Sequence, residues 1–558
     1  MKTGAEFILD QLEANGIEMI FASPIAVMAP FWEAIAKRSP EARPRYYRCR
    51  HEVLAVSLAS GYYKATGKQA AVFLPSSLGV QNAAMPLRTA LHERTPMTVI
   101  SPDTLSYGEN PETDPGPEWP SLLVDFYGPA RDGELAVKWA KVARTPNDVA
   151  HELRRALYEA TAIPRGPTLL EIPFDLLLGE ATPLEHPALS SPITVASHEA
   201  LSSVAELLKR AENPMIITEY HGRTESERST LIQVAESLGA PVFEFMQPAF
   251  RSFPRNHPLY IPGPVNPFLE EVDAILLLGC NAPWHPPRPK LRVGCSIIHL
   301  EEDPLRPRAP YWGYATTHTL PGDRGENLRL LAQMIQPPRD DRDRRRERWE
   351  KLANERREAT RAEAGAAAAT SPLTAAQLFS ALHRALPEST ACVDEIIAPM
   401  PQMMDFLYEE KQFDQFRGWM GALGTSLGTA LGVKLARGDG PVLCIIGDGA
   451  WHYNPVPAAL GFAQEYRHPL FIVLCNNRQY VSQTWNVLRY FPEGEAVKNH
   501  NFVGNQIEPA PNYIKQVEAY GGLGETVTEA SQLDAAIQRA LASLDEGKTF
   551  LLDALIAP

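Results

Sequence analysis

Short apolar runs alternate with stretches of helical period three times along this 558-residue chain, and that alternation limits the fold more than any other feature. In the first stretch Thr3 and Glu6 have capping-box spacing ahead of Ala5, Ile8, Leu9 and Leu12, with Gly16 as the stop. A strand is then predicted over Ile17–Phe21, a helix through Ala55, Leu58, Ala59 and Tyr62 to about Gly67, and further strands over Ala70–Leu74 and Met97–Ile100. The second stretch has a helical pattern to about Ala211 and apolar runs at Met215–Thr218, Pro241–Phe245, Ala274–Leu278 and Ser296–Leu300. The third has a small-residue helix over Gly424–Ala436 and runs at Val442–Ile446, Phe471–Leu474 and Phe550–Ala554. Strands separated by helices pair in parallel and need cover on both faces. The expected fold is therefore α/β, with three doubly wound parallel-sheet domains over 1–180, 195–336 and 373–558. The Pro-, Ser- and Thr-rich stretch Gly179–Ser197 and a charged linker at 337–372 are expected to join them.

Composition narrows the partners. With 44% hydrophobic and 22% charged residues the chain can bury a full core, which excludes bulk disorder. A net charge of −14 opposes nucleic acid, and the dense basic run Arg339–Arg348 is interleaved with Asp340, Asp341, Asp343 and Glu347, as on a solvated helix. No apolar run approaches the ~18 residues of a membrane span, and no basic-then-apolar leader opens the chain. Six cysteines without C-x-x-C spacing point to a reducing compartment and no structural zinc. A cytoplasmic protein acting on a small molecule is expected.

The chemistry gathers at two strand ends. Val442–Ile446 runs into Gly447, Asp448 and Gly449, and after 26 intervening residues the next apolar run ends in Asn476 and Asn477. A carboxylate and an amide oxygen delivered from neighbouring strands suit one hard cation such as magnesium. The glycines let backbone approach an anion, and the following helix turns its amides toward a phosphate.

This pair of motifs resembles the thiamine diphosphate-dependent enzymes. A second match lies in the first domain, where His51 and Glu52 precede a helix ending in Lys64-Ala65-Thr66-Gly67-Lys68, followed by a strand and Gly79-x-x-Asn82. That order is similar to the pyrimidine-binding domain of the acetolactate synthase and benzoylformate decarboxylase group. A third is Gly421-Ala422-Leu423-Gly424, with Leu423 lying 25 residues before Asp448. The resemblance implies pyrimidine-binding, central and diphosphate-binding domains in that order. It implies that Asp448, Asn477 and the carbonyl of Gln479 ligate Mg²⁺, that Gly447, Gly449 and Ala450 line the diphosphate, and that Leu423 is an apolar wedge under the cofactor beside Gly421. Asn82 is counted among the cofactor-binding residues. Glu52, supplied by a neighbouring subunit, would activate the cofactor through its aminopyrimidine ring, so a homodimer or homotetramer with sites at the interface is implied.

Departures define the alternatives. Ala26 stands where benzoylformate decarboxylase has a serine, and Pro75, followed by Ser76, stands where it has a histidine, so both proton-handling groups are missing. His285 lies in a central region comparable to one carrying an active-site histidine there. Gln483 and Trp485 resemble a pair in acetolactate synthases at altered spacing, and His92, His452 and His500 stay unassigned. Glu219-Tyr220-His221-Gly222-Arg223 has one glycine where a flavin-binding relative has a glycine-rich turn, which argues against FAD without excluding it. The leading expectation is an acetolactate synthase-like decarboxylase or carboligase acting on a 2-oxo acid. The alternatives are benzaldehyde lyase-like or 2-hydroxyacyl lyase-like carbon–carbon chemistry without decarboxylation, a catalytically silent structural or regulatory relative, and a flavin-linked oxidase.

Overall fold

The structure is a computed structural model. It describes every residue except 1, 104, 106–112, 115, 118–119, 121–125, 183–188, 190–191, 245–247, 286–288, 310–313, 336–338, 368–371, 409–410, 420 and 558. Much of the stretch 179–197 expected as a linker lies outside the described residues.

Three parallel sheets with flanking helices form the chain, as the alternation requires. The first runs Arg45–Arg48, Met19–Ala22, Ala71–Phe73, Met97–Asp103, Pro167–Pro173, Trp139–Val142 from edge to edge. The last runs Asp414–Arg417, Ala391–Glu395, Val442–Gly447, Phe471–Asn476, Phe550–Leu555, Leu523–Val527. Numbered within each unit, both have the order 2-1-3-4-6-5. The five-stranded middle sheet runs Val242–Glu244, Pro214–Thr218, Ala274–Leu278, Ser296–Glu301, His318–Pro321.

The first and last sheets share one core. Helix Glu52–Thr66 is capped at its start by His51 and stopped by Gly67 at φ 74°, and its residues Val53 to Lys64 are all buried. Such a helix has no solvent face and must be covered on all sides. Helix Ser426–Arg437 covers one side through small residues. A Cβ on Gly61 would lie 2.1 Å from the Thr429 carbonyl oxygen, and one on Gly432 would lie 2.2 Å from that of Leu58. The two backbones touch, so the sheet ends that each helix precedes or follows are fixed relative to each other.

The charged stretch expected to be a solvated linker is instead partly core. It forms helix Arg339–Ala367, whose Trp349 and Ala353 are buried in the middle unit's apolar cluster. Arg345 donates to the Leu238 carbonyl and Arg357 to that of His257, so its guanidinium groups satisfy loop carbonyls and not only solvent. Among the described residues no helix is long and apolar enough to cross a membrane.

Candidate active site

Two clusters carry the motif residues. In the first sheet, strand Met19–Ala22 delivers Ser23, and Glu52 opens the buried helix. The Glu52 carboxylate accepts from Ser23 Oγ at 2.8 Å on Oε1 and from the Asn82 side-chain amide on Oε2. Asn82 closes the short helix Ser76–Asn82, which starts at Pro75 and passes through Ser76 at φ 44°. The Pro75 ring lies against Gly79, where a Cβ would sit 2.4 Å from Pro75 Cδ. Gly79 therefore lets the helix fold back on Pro75, and Asn82, three residues on, meets Glu52. Ser23 is a member that sequence reading missed, since nothing in the serine's immediate context marks it.

In the last sheet, paired strands end side by side, with Gly447 opposite Cys475. Asp448 follows one and Asn477 the other. Asp448 is 3% exposed; Oδ1 accepts from the Gly449 amide at 2.9 Å, and Oδ2 is buried without a partner. Burial pushes its carboxyl up to about 6, against the pull of the amides of Gly449, Arg478 and Gln479. An orphaned buried carboxylate oxygen is costly unless a cation meets it. Asn476 is consumed structurally, donating to Asp553 Oδ1 at 2.8 Å, whereas Asn477 is half-buried and only accepts from the Gln479 amide at 3.2 Å. The oxygen donors present thus suit a magnesium ion. The Tyr480 ring lies over Gly449, 2.7 Å from where a Cβ would stand, and Ala450 is buried beside it.

A loop carrying Gly421 and Leu423 leads into the last unit's helix Ser426–Arg437. Leu423 is half-buried and Gly421 exposed, and the His92 ring stacks at 4.1 Å on Trp419 at the start of the loop. The loop enters helix Ser426–Arg437 under a carboxylate that the motifs did not reveal. Glu395 accepts from the amides of Gly424, Thr425 and Ser426.

Other expected positions lie apart. Ala26 is exposed at the start of a short 3₁₀ turn after Ser23, and Pro75 and Ser76 are buried on the Glu52 side. His285 is exposed at a cavity of about 400 Å³ between the middle unit and helix Met400–Phe406, alongside Phe243, Tyr260 and Met404. Trp485 is 48% exposed, and His452 and His500 are also on the surface. Among the described residues no hydrogen bond or ion pair joins Glu52, Ser23 or Asn82 to Asp448, Asn477 or Gln479 within one chain.

At the middle sheet's switch point, where a nucleotide would enter, the chain bridges two strand ends beside the cavity lined by Ile217, Phe243 and Pro283. Glu219 accepts from the Asn281 amide at 2.6 Å, and burial pushes its carboxyl up to about 7. Arg306 donates to the carbonyls of Asn281 and Cys280. Gly222 is spent on packing, a Cβ there standing 2.4 Å from Ser252 Cα. The stretch Glu219–Arg223 thus carries one glycine, used in packing, and no glycine-rich turn.

Two units of one topology, one with a hydrogen-bonded carboxylate opening a buried helix and the other with a buried, partnerless carboxylate oxygen between glycines, have the donor set that an enzyme built around a diphosphate cofactor requires. The comparisons give that class its family. Residues 2–115, 201–312 and 400–554 match, in order, the thiamine pyrophosphate enzyme N-terminal TPP binding domain, central domain and C-terminal TPP binding domain. The chain belongs to the thiamine pyrophosphate-dependent enzymes, in the group of acetolactate synthase and benzoylformate decarboxylase. It is 25% identical to the acetolactate synthase large subunit of Haemophilus influenzae over 96% of this chain and 92% of that one. It is 25% identical to benzoylformate decarboxylase of Pseudomonas aeruginosa over 97% of both. In fold it is similar to a Rhodococcus jostii thiamine diphosphate-dependent 4-hydroxybenzoylformate decarboxylase, with a TM-score of 0.80, 23% identity and full coverage of both chains.

Proposed function

We propose that this enzyme is a thiamine diphosphate- and Mg²⁺-dependent decarboxylase or carboligase acting on a 2-oxo acid, similar to acetolactate synthase. The observation that carries the metal and diphosphate assignment is the buried, partnerless Asp448 Oδ2 beside Asn477. Asp448, Asn477 and the Gln479 carbonyl would hold the ion, and Gly447, Gly449 and Ala450 would leave room for the diphosphate. When bound, the cofactor would supply a stabilised carbanion as the nucleophile, and an electron sink.

The chain's own residues do the rest. Ser23 and Asn82 donate to both oxygens of Glu52 and orient its carboxylate, which would act as the cofactor's proton partner. Leu423, half-buried, would exclude water from the ring it touches and restrict that ring's orientation, a proximity effect. Since among the described residues no hydrogen bond or ion pair joins Glu52 to the Asp448 cluster in its own chain, each site would combine Glu52 of one subunit with Asp448 of another in a homodimer or homotetramer.

A second reading rests on the Glu52 side. Pro75 packs on Gly79, and Ala26 has no group that could carry a proton. Without those groups, ligation or cleavage of a carbon–carbon bond between aldehydes and 2-hydroxy ketones competes with decarboxylation. The test is incubation with thiamine diphosphate, Mg²⁺ and panels of 2-oxo acids, aldehydes and 2-hydroxy ketones, following CO₂ release and products by NMR. Release of CO₂ from one acid supports the first reading. Turnover of aldehydes or 2-hydroxy ketones with no CO₂ from any acid supports the second.

A further inference from the structure

The loop bearing Leu423 is held at both ends by buried carboxylates that no motif accounts for. At its start, Glu93 of the first unit accepts the Trp419 amide on Oε1. Its Oε2 pairs with buried Lys64 at 2.8 Å, and Lys64 also donates to the Arg417 carbonyl. At its end, Glu395 takes three successive amides, those of Gly424, Thr425 and Ser426, at 2.5, 3.1 and 2.7 Å. The first amides of a helix have no partner inside the helix and are ordinarily met by a local cap. Thr425 provides none here, so a carboxylate from a different strand takes that place.

That strand is the important part. Ala391–Glu395 pairs with Val442–Gly447, with Glu395 opposite Ile446, two residues before Asp448. Asn454 completes the link, accepting from the Leu427 amide at 3.1 Å while donating to the Ala450 carbonyl at 3.0 Å and to Glu395 at 3.5 Å. Gly424, at φ 104°, lies against the backbone at Tyr453, where a Cβ would be 2.4 Å from the carbonyl oxygen. Glu395 and Asn454 thus tie the Leu423 loop to the Asp448 segment directly, side chain to backbone.

We propose that Glu395, assisted by Asn454, is a positioning residue that fixes the spacing between the Leu423 loop and the Asp448–Ala450 segment, and so tunes cofactor activation without binding the cofactor itself. The proposal rests on the functional reading above. An anion is needed because three amides converge on one side chain; a glutamine would turn an N–H toward donors that it cannot pair with.

The experiment compares Glu395→Gln and Glu395→Ala with the unaltered enzyme. Amide hydrogen exchange over 421–430 is measured on cofactor-free protein, and then cofactor affinity in Mg²⁺, KM and kcat on the loaded enzyme. In Glu395→Gln the amides left facing the N–H end of the side chain exchange about 100-fold faster, since one or two of the three protecting bonds are lost, and in Glu395→Ala all three are lost. Turnover falls about 100-fold, while KM and cofactor affinity stay within about tenfold. Formate partly restores the turnover of Glu395→Ala, by filling the vacated anion position. Unchanged amide protection, unchanged turnover, or loss of cofactor affinity in step with turnover overturns the proposal. If Glu395→Gln does not fold, Asn454→Ala carries the same expectation at about tenfold, and unchanged protection in that variant overturns it. An unaltered protein that binds no thiamine diphosphate defeats the functional reading alone, because exchange in the cofactor-free protein still decides whether Glu395 holds the loop.

Discussion

Glu52 and Asp448 are both carboxylates at the start of a helix, yet their surroundings give them opposite tasks. Glu52 has a donor on each oxygen and, on the proposed reading, would exchange a proton; Asp448 has one oxygen bonded and the other bare, and on that reading would meet a cation. Glu52→Gln should lower kcat by about 10²–10⁴-fold with cofactor still bound, because proton transfer is lost and the diphosphate cradle is not. Full activity in that variant would remove Glu52 from the mechanism. Asp448→Ala should abolish Mg²⁺-dependent cofactor binding in a titration, and unchanged affinity would refute the metal assignment. At this scale the sequence was informative where residues share a short motif, as in Gly447-Asp448-Gly449 or Gly79-x-x-Asn82. Ser23 and Glu395 were silent because their partners lie far along the chain, and a lone serine or glutamate after a strand has no local signature.

Among elements, the interior strands with unbroken apolar runs were legible, with Ala274–Leu278 observed as expected. Five strands that no apolar run announced, Arg45–Arg48, Trp139–Val142, His318–Pro321, Asp414–Arg417 and Leu523–Val527, all lie at sheet edges, where one flank is unpaired and polar residues are tolerated. Two interior strands were hidden for another reason. Pro167–Pro173 has a proline at each end and Glu171 inside, and Ala391–Glu395 ends in two acids. Glu171 gives a pH test. Burial, with Asp103 adding to it, raises its carboxyl to about 7, although the Ala130 amide pulls the other way. The folded chain therefore holds a proton there that the unfolded chain loses near pH 4.5, so this group's contribution to stability declines as pH rises from about 4.5 to about 7. Glu171→Gln should match the parent at pH 4 and exceed it above pH 7 by on the order of 2 kcal/mol, read from thermal midpoints across pH. A difference that does not vary with pH would contradict this. The paired helices give a second test. Gly61→Ala places a methyl against the Thr429 carbonyl and should cost about 1–3 kcal/mol, seen as a lower midpoint.

For the whole molecule, the separation of the two clusters within one chain makes a prediction about assembly. If each site takes Glu52 from one subunit and Asp448 from the next, the Glu52→Gln and Asp448→Ala proteins are each inactive but complementary. Subunits mixed in equal amounts and reassociated should regain about a quarter of the parent activity. Random pairing gives half mixed dimers, and one of the two sites in each is intact. No recovery, with exchange of subunits verified by mass, would place both residues in one chain's site. Surface side chains agree with such an arrangement, since Leu78 near Glu52 and Trp485, Tyr490 and Phe491 beyond Asn477 are large, apolar and exposed.

The contact of helix Glu52–Thr66 with helix Ser426–Arg437 also bears on how such a chain can change over generations. Gly61 meets the backbone at Thr429, Gly428 meets Ser57, and Gly432 meets the backbone at Leu58. A larger residue at Gly61 or Gly432 pushes on main chain that has no rotamer with which to yield, so a compensating change must come from the opposite helix, some 370 residues away in the sequence. Drift at these positions should therefore be correlated: variants at Gly61 tolerated on their own should be scarce, and paired ones comparatively enriched. The front and rear of the chain would be inherited as a single unit, and recombination between distant relatives should succeed more often when both helices come from the same parent.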